Sequence, residues 1–345
     1  SSLPVSSNFA WITGWTSDSS GEKLRKALEL NFSHAILHFP ESPENSQPPM
    51  ILQNPWWAKP FEILAGLLGT LNRNEADPSG ILAVMAPLLF GYMFGDVGQG
   101  FVLLLAGVLL RKRWPLLRIL VANGVSAMVF GFVFGSMFGR EDIIPALWVH
   151  PVANPLPVLM VPLVAGVLII LLGQVLNAIE SNWRGQWLRW LHVDAPVIAL
   201  YLGIISAFFL EGSASVLVIV SALTWYIAGS LLLAGGNLLA LLTAIAVLVE
   251  TMMQLVMNTV SFVRVGAFAL AHAGLSLAFN VMADSAGSLA ATILILLLGN
   301  IIVIVLEGLV VSIQTTRLIL FEFFIRFLQA DGRVFKPLSA PQAGA

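Results

Sequence analysis

From residue 78 onward the chain is a succession of long apolar stretches, and no fold that faces water on all sides can bury them. Eight can be counted, at roughly 79–95, 97–112, 115–138, 156–178, 191–210, 214–233, 239–283 and 288–329. Most match the roughly 20 residues needed to cross a hydrocarbon core about 30 Å thick. The first two are short for a span and meet at the glycine-rich turn 95–98. The last two are each more than 40 residues. At about 1.5 Å per residue each is roughly 60 Å long as a helix. Helices of that length tilt, bend or project from the bilayer. Composition agrees, at 58% hydrophobic and 10% charged, against about 25% charged in soluble domains. The expected fold is an all-α polytopic membrane protein with eight transmembrane helices, the last two long and tilted.

Residues 1–76 have a different, water-compatible character. The segment 8–14 (NFAWITG) reads as a strand, 20–31 as a short amphipathic helix with Leu24, Ala27, Leu28 and Leu30 facing inward, and 33–39 as a second strand. One such unit is too small to bury a core alone. It is expected to be a small α+β cytoplasmic remnant, the tail of a domain whose first part lies upstream of Ser1. A Pro/Ser/Glu linker follows at 40–49. Two domains are therefore expected, 1–76 and 77–345. Residues 1–20 are polar and Ser-rich, without the pattern of a signal peptide. The chain has no cysteine, which excludes disulfides, thiolate metal sites and cysteine nucleophiles. Its five histidines are scattered, without metal-ligand spacing. No cofactor is expected. The net charge of −2 and the lack of a basic block argue against nucleic acid.

Charge gives the orientation. With the N-terminal segment in the cytoplasm, the cytoplasmic connections hold nine basic residues: Arg111, Lys112, Arg113, Arg118, Arg184, Arg189, Arg326, Arg333 and Lys336. The opposite connections hold only Arg140, in keeping with the positive-inside rule. Five more of the 17 lie in residues 1–76. Two remain, Arg264 and Arg317, each deep inside one of the two long helices. An arginine near the bilayer centre costs from about 3 to more than about 10 kcal/mol and usually marks a functional path.

Helical spacing gives each arginine neighbours. Glu250, Gln254, Asn258, Ser261 and Arg264 follow steps of four, four, three and three, one polar stripe, with His272 on nearly the same face. Glu307, Gln314 and Arg317 share a face of the last helix. Glu250 lies about 21 Å to the cytoplasmic side of Arg264, His272 about 12 Å to the outer side, and Glu307 about 15 Å outward of Arg317. This is the layout of two offset aqueous half-channels separated by a positive barrier. Arginine stays protonated in essentially any protein setting, so a carboxylic acid brought beside it is pushed to ionise. No carboxylate of this chain is an obvious permanent partner for either arginine, and a moving one on another subunit would complete the arrangement.

The run PLLFGYMFGDVGQG at 87–100 resembles the first membrane hairpin of the a subunit, or subunit I, of V-type and A-type rotary ATPases. Three further runs are similar to the same family: FGSMFGREDIIPALWVHPVANP at 134–155, SFVRVGAFALAHAGLS at 261–276 and LEGLVVSIQTTRLILFEFFIRFLQADGRVFKP at 306–337. The segments ITGW at 12–15 and NPWWAKPFEIL at 54–64 look like the end of its cytoplasmic domain. The resemblance implies a stator subunit lying against a rotating ring of c subunits, held by peripheral-stalk and other rotary ATPase subunits in the lipid bilayer, and passing H⁺ or Na⁺. It implies that Arg264 and Arg317 are the family's essential arginines. Glu250 and Gln254 would serve the cytoplasmic half-channel, and His272, Glu307 and Gln314 the outer one. Eukaryotic members of the family often carry histidine at the position of Gln314. The expected location is a prokaryotic cytoplasmic membrane, with both termini cytoplasmic. There is no GxxxxGK[ST] loop, so the subunit is expected to be non-catalytic, with ATP chemistry in its partners.

Two other readings fit the composition. A self-contained secondary transporter with a midplane polar site predicts internal repeats and paired broken helices, and no such repeat is visible. A membrane scaffold predicts that Arg264→Ala lowers assembly without affecting flux. Simpler roles suit several remaining residues. Asp96 is read as a cap or pin for the hairpin turn, and Glu322 as an i,i+4 partner of Arg326. Glu180, Asp194 and Glu211 lie near span ends and read as solvated interfacial charges. Trp56, Trp57, Trp114, Trp148, Trp183, Trp187 and Trp190 read as interfacial belts.

Overall fold

The computed structural model describes residues 14–16, 21–31, 54–66, 77–209, 213–233, 235 and 237–324, with single positions at 36, 38, 49 and 69. The chain divides into two compact units. The smaller holds Ser1–Gln53, Gly69–Arg73 and Gln329–Ala345. Its one described helix is α1 (Glu22–Asn31), where the amphipathic pattern puts it, with Glu22 favourably placed in the first turn. The strands expected at 8–14 and 33–39 and the linker at 40–49 lie outside the described residues, apart from isolated positions. So do Glu211 and the Glu322 partner Arg326.

The larger unit, Asn54–Leu68 with Asn74–Leu328, is helical. Among the described residues it has no sheet, only an isolated bridge between Met137 and Arg140. After a 3₁₀ turn at Lys59–Phe61 and the short α2 (Glu62–Gly66) come α3 (Ser79–Met93) and α4 (Val97–Leu110). These are apolar but only 15 and 14 residues long. Then follow α5 (Ile119–Phe134), α6 (Pro155–Trp183), α7 (Trp187–Phe209), α8 (Ser213–Leu233), α9 (Leu238–Ser261), α10 (Val263–Asp284), α11 (Leu289–Ile302) and α12 (Gly308–Leu318). Six helical runs among the described residues are long and apolar enough to cross a membrane: Leu116–Phe134, Pro155–Trp183, Trp187–Ala207, Ala214–Leu233, Leu239–Asp284 and Leu289–Phe323. The chain is an integral membrane protein. Its last two runs are the longest of the six, the first at 46 residues as expected and the second at 35 within the described residues, short of the expected 40.

Burial is inverted relative to a soluble protein. Leu217, Leu232 and Leu289 are each at least 70% exposed, while Asp96, Gln99, His272, Ser276 and Glu307 are buried. Apolar side chains on the outside suit lipid, and polar ones inside must find partners there. Glu180 follows this rule against expectation. It is 1% exposed instead of lying at a solvated interface, and Arg184 one turn on donates Nη2 to its Oε2 at 3.2 Å. A buried carboxylate needs such a cation. Six of the seven tryptophans assigned to belts are exposed, and Trp190 is half-buried.

Two local features position the polar groups. The run α9–α10 is interrupted only at Phe262, whose buried ring sits where a side chain on Gly166 of α6 would go. One turn on, Gly266 brings α10 so close to α6 that an added methyl would meet the Val158 carbonyl. The glycine contact turns that side of α10 to α6. The last run widens twice into π-helical turns, at Val303–Glu307 and Ile319–Phe323, on either side of α12. Such turns are rare and often mark functional sites. Nothing in the local sequence announces them.

Candidate functional site

Two polar rungs join α10 to the last helical run. In the first, Arg264 donates Nη2 to Ser261 Oγ at 2.7 Å and Nη1 to Gln314 Oε1 at 3.3 Å. In the second, His272 Nδ1 and Glu307 Oε2 are 2.9 Å apart, with both side chains buried. Position numbers rise from Arg264 to His272 while their partners fall from Gln314 to Glu307, so the two helices run antiparallel. The rungs are about 12 Å apart along α10 at the helical rise.

The second rung is closed on one side by the hairpin between α3 and α4. The Phe94 ring lies 4.5 Å from the His272 ring, centre to centre. The other ring nitrogen, Nε2, is buried and has no hydrogen-bond partner among the described residues. A buried pair of this kind should be coupled. In a double-mutant cycle, His272→Ala and Glu307→Ala are expected to show about 1–2 kcal/mol of interaction in unfolding free energy. Additive effects would mean that the pair does not interact.

Glu250 and Gln254 form a third group, on an exposed face of α9, with Gln254 Nε2 donating to Glu250 Oε1 at 3.3 Å. Arg317 stands apart from all three. It is exposed, and it makes no hydrogen bond or ion pair among the described residues. Leu309 and Ile313 are also exposed, and their spacing of four puts them on its face of α12. Helical spacing places Ser261 beside Arg264, but the contact from Arg264 to Gln314 on the other long run is found only in the fold. The fold does not put Arg264 and Arg317 in contact.

The hairpin holds a network that only partly shows in the sequence. Asp96 caps α4 and is fully buried. Its Oδ1 accepts from the backbone N–H groups of Gln99 and Phe138, both at 2.9 Å. Its Oδ2 accepts from Ser136 Oγ at 2.7 Å and Gly139 N at 2.8 Å. Phe138 and Gly139 both have positive φ, 51° and 72°, a backbone that costs energy for the phenylalanine. Asn280 of α10 donates to the Phe138 carbonyl at 3.2 Å. Gln99 Nε2 donates to Asn300 Oδ1 at 3.0 Å, tying α4 to α11. Gln99 and Asn300 were legible by the criterion that picks out the arginines, an amide inside an apolar helix.

These features define a class: an integral membrane protein with charged and titratable side chains aligned between two overlong antiparallel helices. Residues 2–134 match the V-type ATPase 116kDa subunit family. The chain is 24% identical over 362 residues to "A-type ATP synthase subunit I" of Thermococcus kodakarensis, covering 95% of this chain and 54% of the relative. It is 25% identical over 387 residues to the protein of that name from Methanocaldococcus jannaschii, covering 96% and 55%. Against the one from Aeropyrum pernix it is 28% identical over 344 residues, covering 82% and 50%. The similarity is therefore to the a/I subunit of V/A-type ATPases, the family that the motifs resemble. The chain spans about half the length of the curated relatives it matches.

Proposed function

We propose that this chain is the stationary, ion-translocating part of a V/A-type rotary ATPase or ATP synthase, itself without ATP chemistry. Its two short and six long helical runs form an eight-helix domain over 77–345, and residues 1–76 end a cytoplasmic domain. Both termini face the cytoplasm of a prokaryotic cell. Glu250 and Gln254 serve a cytoplasmic half-channel for H⁺ or Na⁺. His272, Glu307 and Gln314 serve an outer one. Arg264 and Arg317 face a carboxylate on a rotating ring of c subunits, discharge it and block a direct leak. Peripheral-stalk subunits hold the chain still.

One observation carries this reading. Arg264 is bonded to two neutral groups, and Arg317 is exposed without a partner among the described residues. Two permanent cations in apolar helices need a carboxylate, and an external one can reach the face bearing Leu309, Ile313 and Arg317. The relatives' name supports a rotary synthase subunit over a self-contained transporter.

The chain has no cysteine, so a single one can be placed freely. In the assembled complex Ile313→Cys is expected to form a disulfide with a cysteine placed beside the ring carboxylate. ATP-driven ion uptake should then stop, and a reductant should restore it. A cross-link that leaves uptake running, or no cross-link in an assembled complex, would sink the proposal.

A further inference from the structure

Between α6 and α7, away from the two rungs, lies an open groove of about 680 Å³. That volume falls within the range of pockets that hold small molecules, about 300–1,000 Å³. On α6 it runs from Leu171 through Ala178 to Asn182, and on α7 from Ile198 back to Trp190 and Trp187. Each wall spans twelve residues, about 16 Å from end to end at the helical rise. Half of a hydrocarbon core about 30 Å thick is about 15 Å. The groove is therefore one leaflet deep.

Its two ends differ chemically. The Leu171–Ile198 end is apolar apart from the Gln174 amide above it. The opposite end carries Asn182 and the stacked rings of Trp187 and Trp190, 4.9 Å apart. Trp190 Nε1 is buried there with no hydrogen-bond acceptor among the described residues. A buried donor without an acceptor is costly, so this site calls for an oxygen ligand. Two arginines lie near that end along the chain, and neither lines the groove itself. Arg184 is engaged with Glu180. Arg189, next to Trp190, is exposed and makes no hydrogen bond or salt bridge among the described residues, although Asp194 lies within its electrostatic reach.

We infer that this groove is a specific site for one membrane glycerophospholipid. An acyl or isoprenoid chain lies between α6 and α7. The glycerol or phosphate oxygens accept from Trp190 Nε1, and the phosphate meets Arg189. Apolar length, an unmet donor and a cation follow one another in the order of a lipid's own chain, backbone and phosphate. The site is separate from the ion path and does not depend on the rotary reading.

The test uses the full-length protein, purified in detergent, delipidated and titrated under native mass spectrometry. The probes are phosphatidylglycerol and a diacylglycerol with the same chains. The expected result is one phosphatidylglycerol per chain, held about tenfold more tightly than the diacylglycerol. Ala178→Trp, which fills the groove, should abolish that site. Trp190→Phe and Arg189→Gln should each weaken it several-fold, and neither depends on a filled groove folding. Equal affinity for the two probes would overturn the assignment. So would unchanged phosphatidylglycerol binding in Trp190→Phe and Arg189→Gln, which would leave only the ordinary annular lipid of any membrane protein.

Discussion

Arg264→Lys in the assembled complex is expected to lower ATP-driven ion uptake by about 10- to 100-fold per complex, with assembly intact. Lysine keeps the positive charge, so a loss of this size cannot come from charge alone. The guanidinium reaches Ser261 on its own helical run and Gln314 on the antiparallel one at the same time, through two nitrogens. An ammonium on a flexible stem is one point charge and cannot hold both in that geometry. One hydrogen bond from a charged group contributes about 1.5–3 kcal/mol, which corresponds to about 10- to 100-fold. The two neutral partners fix where the cation sits without neutralising it. In the proposed arrangement a ring carboxylate gives up its ion at one place, and a cation displaced by an ångström or two no longer favours the ionised form there. The measurement is ion uptake into vesicles, normalised to the assembled complex. Near-normal uptake would remove Arg264 from the path.

The sequence made the membrane class legible because bilayer thickness sets helix length, and apolar runs are easily seen against 10% charge. The arginines were legible for the same energetic reason. The rung from Arg264 to Gln314 was not, since it joins residues 50 apart. Its geometry depends on how α10 leans on α6 through Gly266 and on the register of α12 between two π-helical turns. A π turn is a departure from the periodicity by which faces are read, and it leaves no mark in composition. The face shared by Glu307, Gln314 and Arg317 is uneven even though regular α-helix separates them. Glu307 is buried, Gln314 half-buried and Arg317 exposed. Glu180 was misread for a related reason. Proximity to a span end suggests solvent, but burial is decided by the neighbouring helices, and its cation was one turn away at Arg184.

Asp96→Ala is expected to destabilise the larger unit by about 4 kcal/mol or more, seen as a marked fall in the temperature of unfolding in detergent. Alanine would leave the N–H groups of Gln99, Phe138 and Gly139 and the Ser136 hydroxyl without their acceptor. Each buried unmet group costs about 1–3 kcal/mol, less whatever relaxation recovers. The loop they hold is already strained at Phe138, whose φ is 51°. Asp96→Asn keeps one oxygen and turns an amide toward donors, so it should fall between wild type and alanine. The consequence reaches the proposed ion path indirectly. The Phe138 carbonyl holds Asn280 on α10, two turns beyond His272, and the hairpin residue Phe94 packs on the His272 ring. An aspartate whose two oxygens each accept two hydrogen bonds has little capacity left for a passing ion. Asp96→Asn should therefore lower the amount of assembled complex more than the uptake each complex supports. Full stability with lost uptake would instead make Asp96 a carrier.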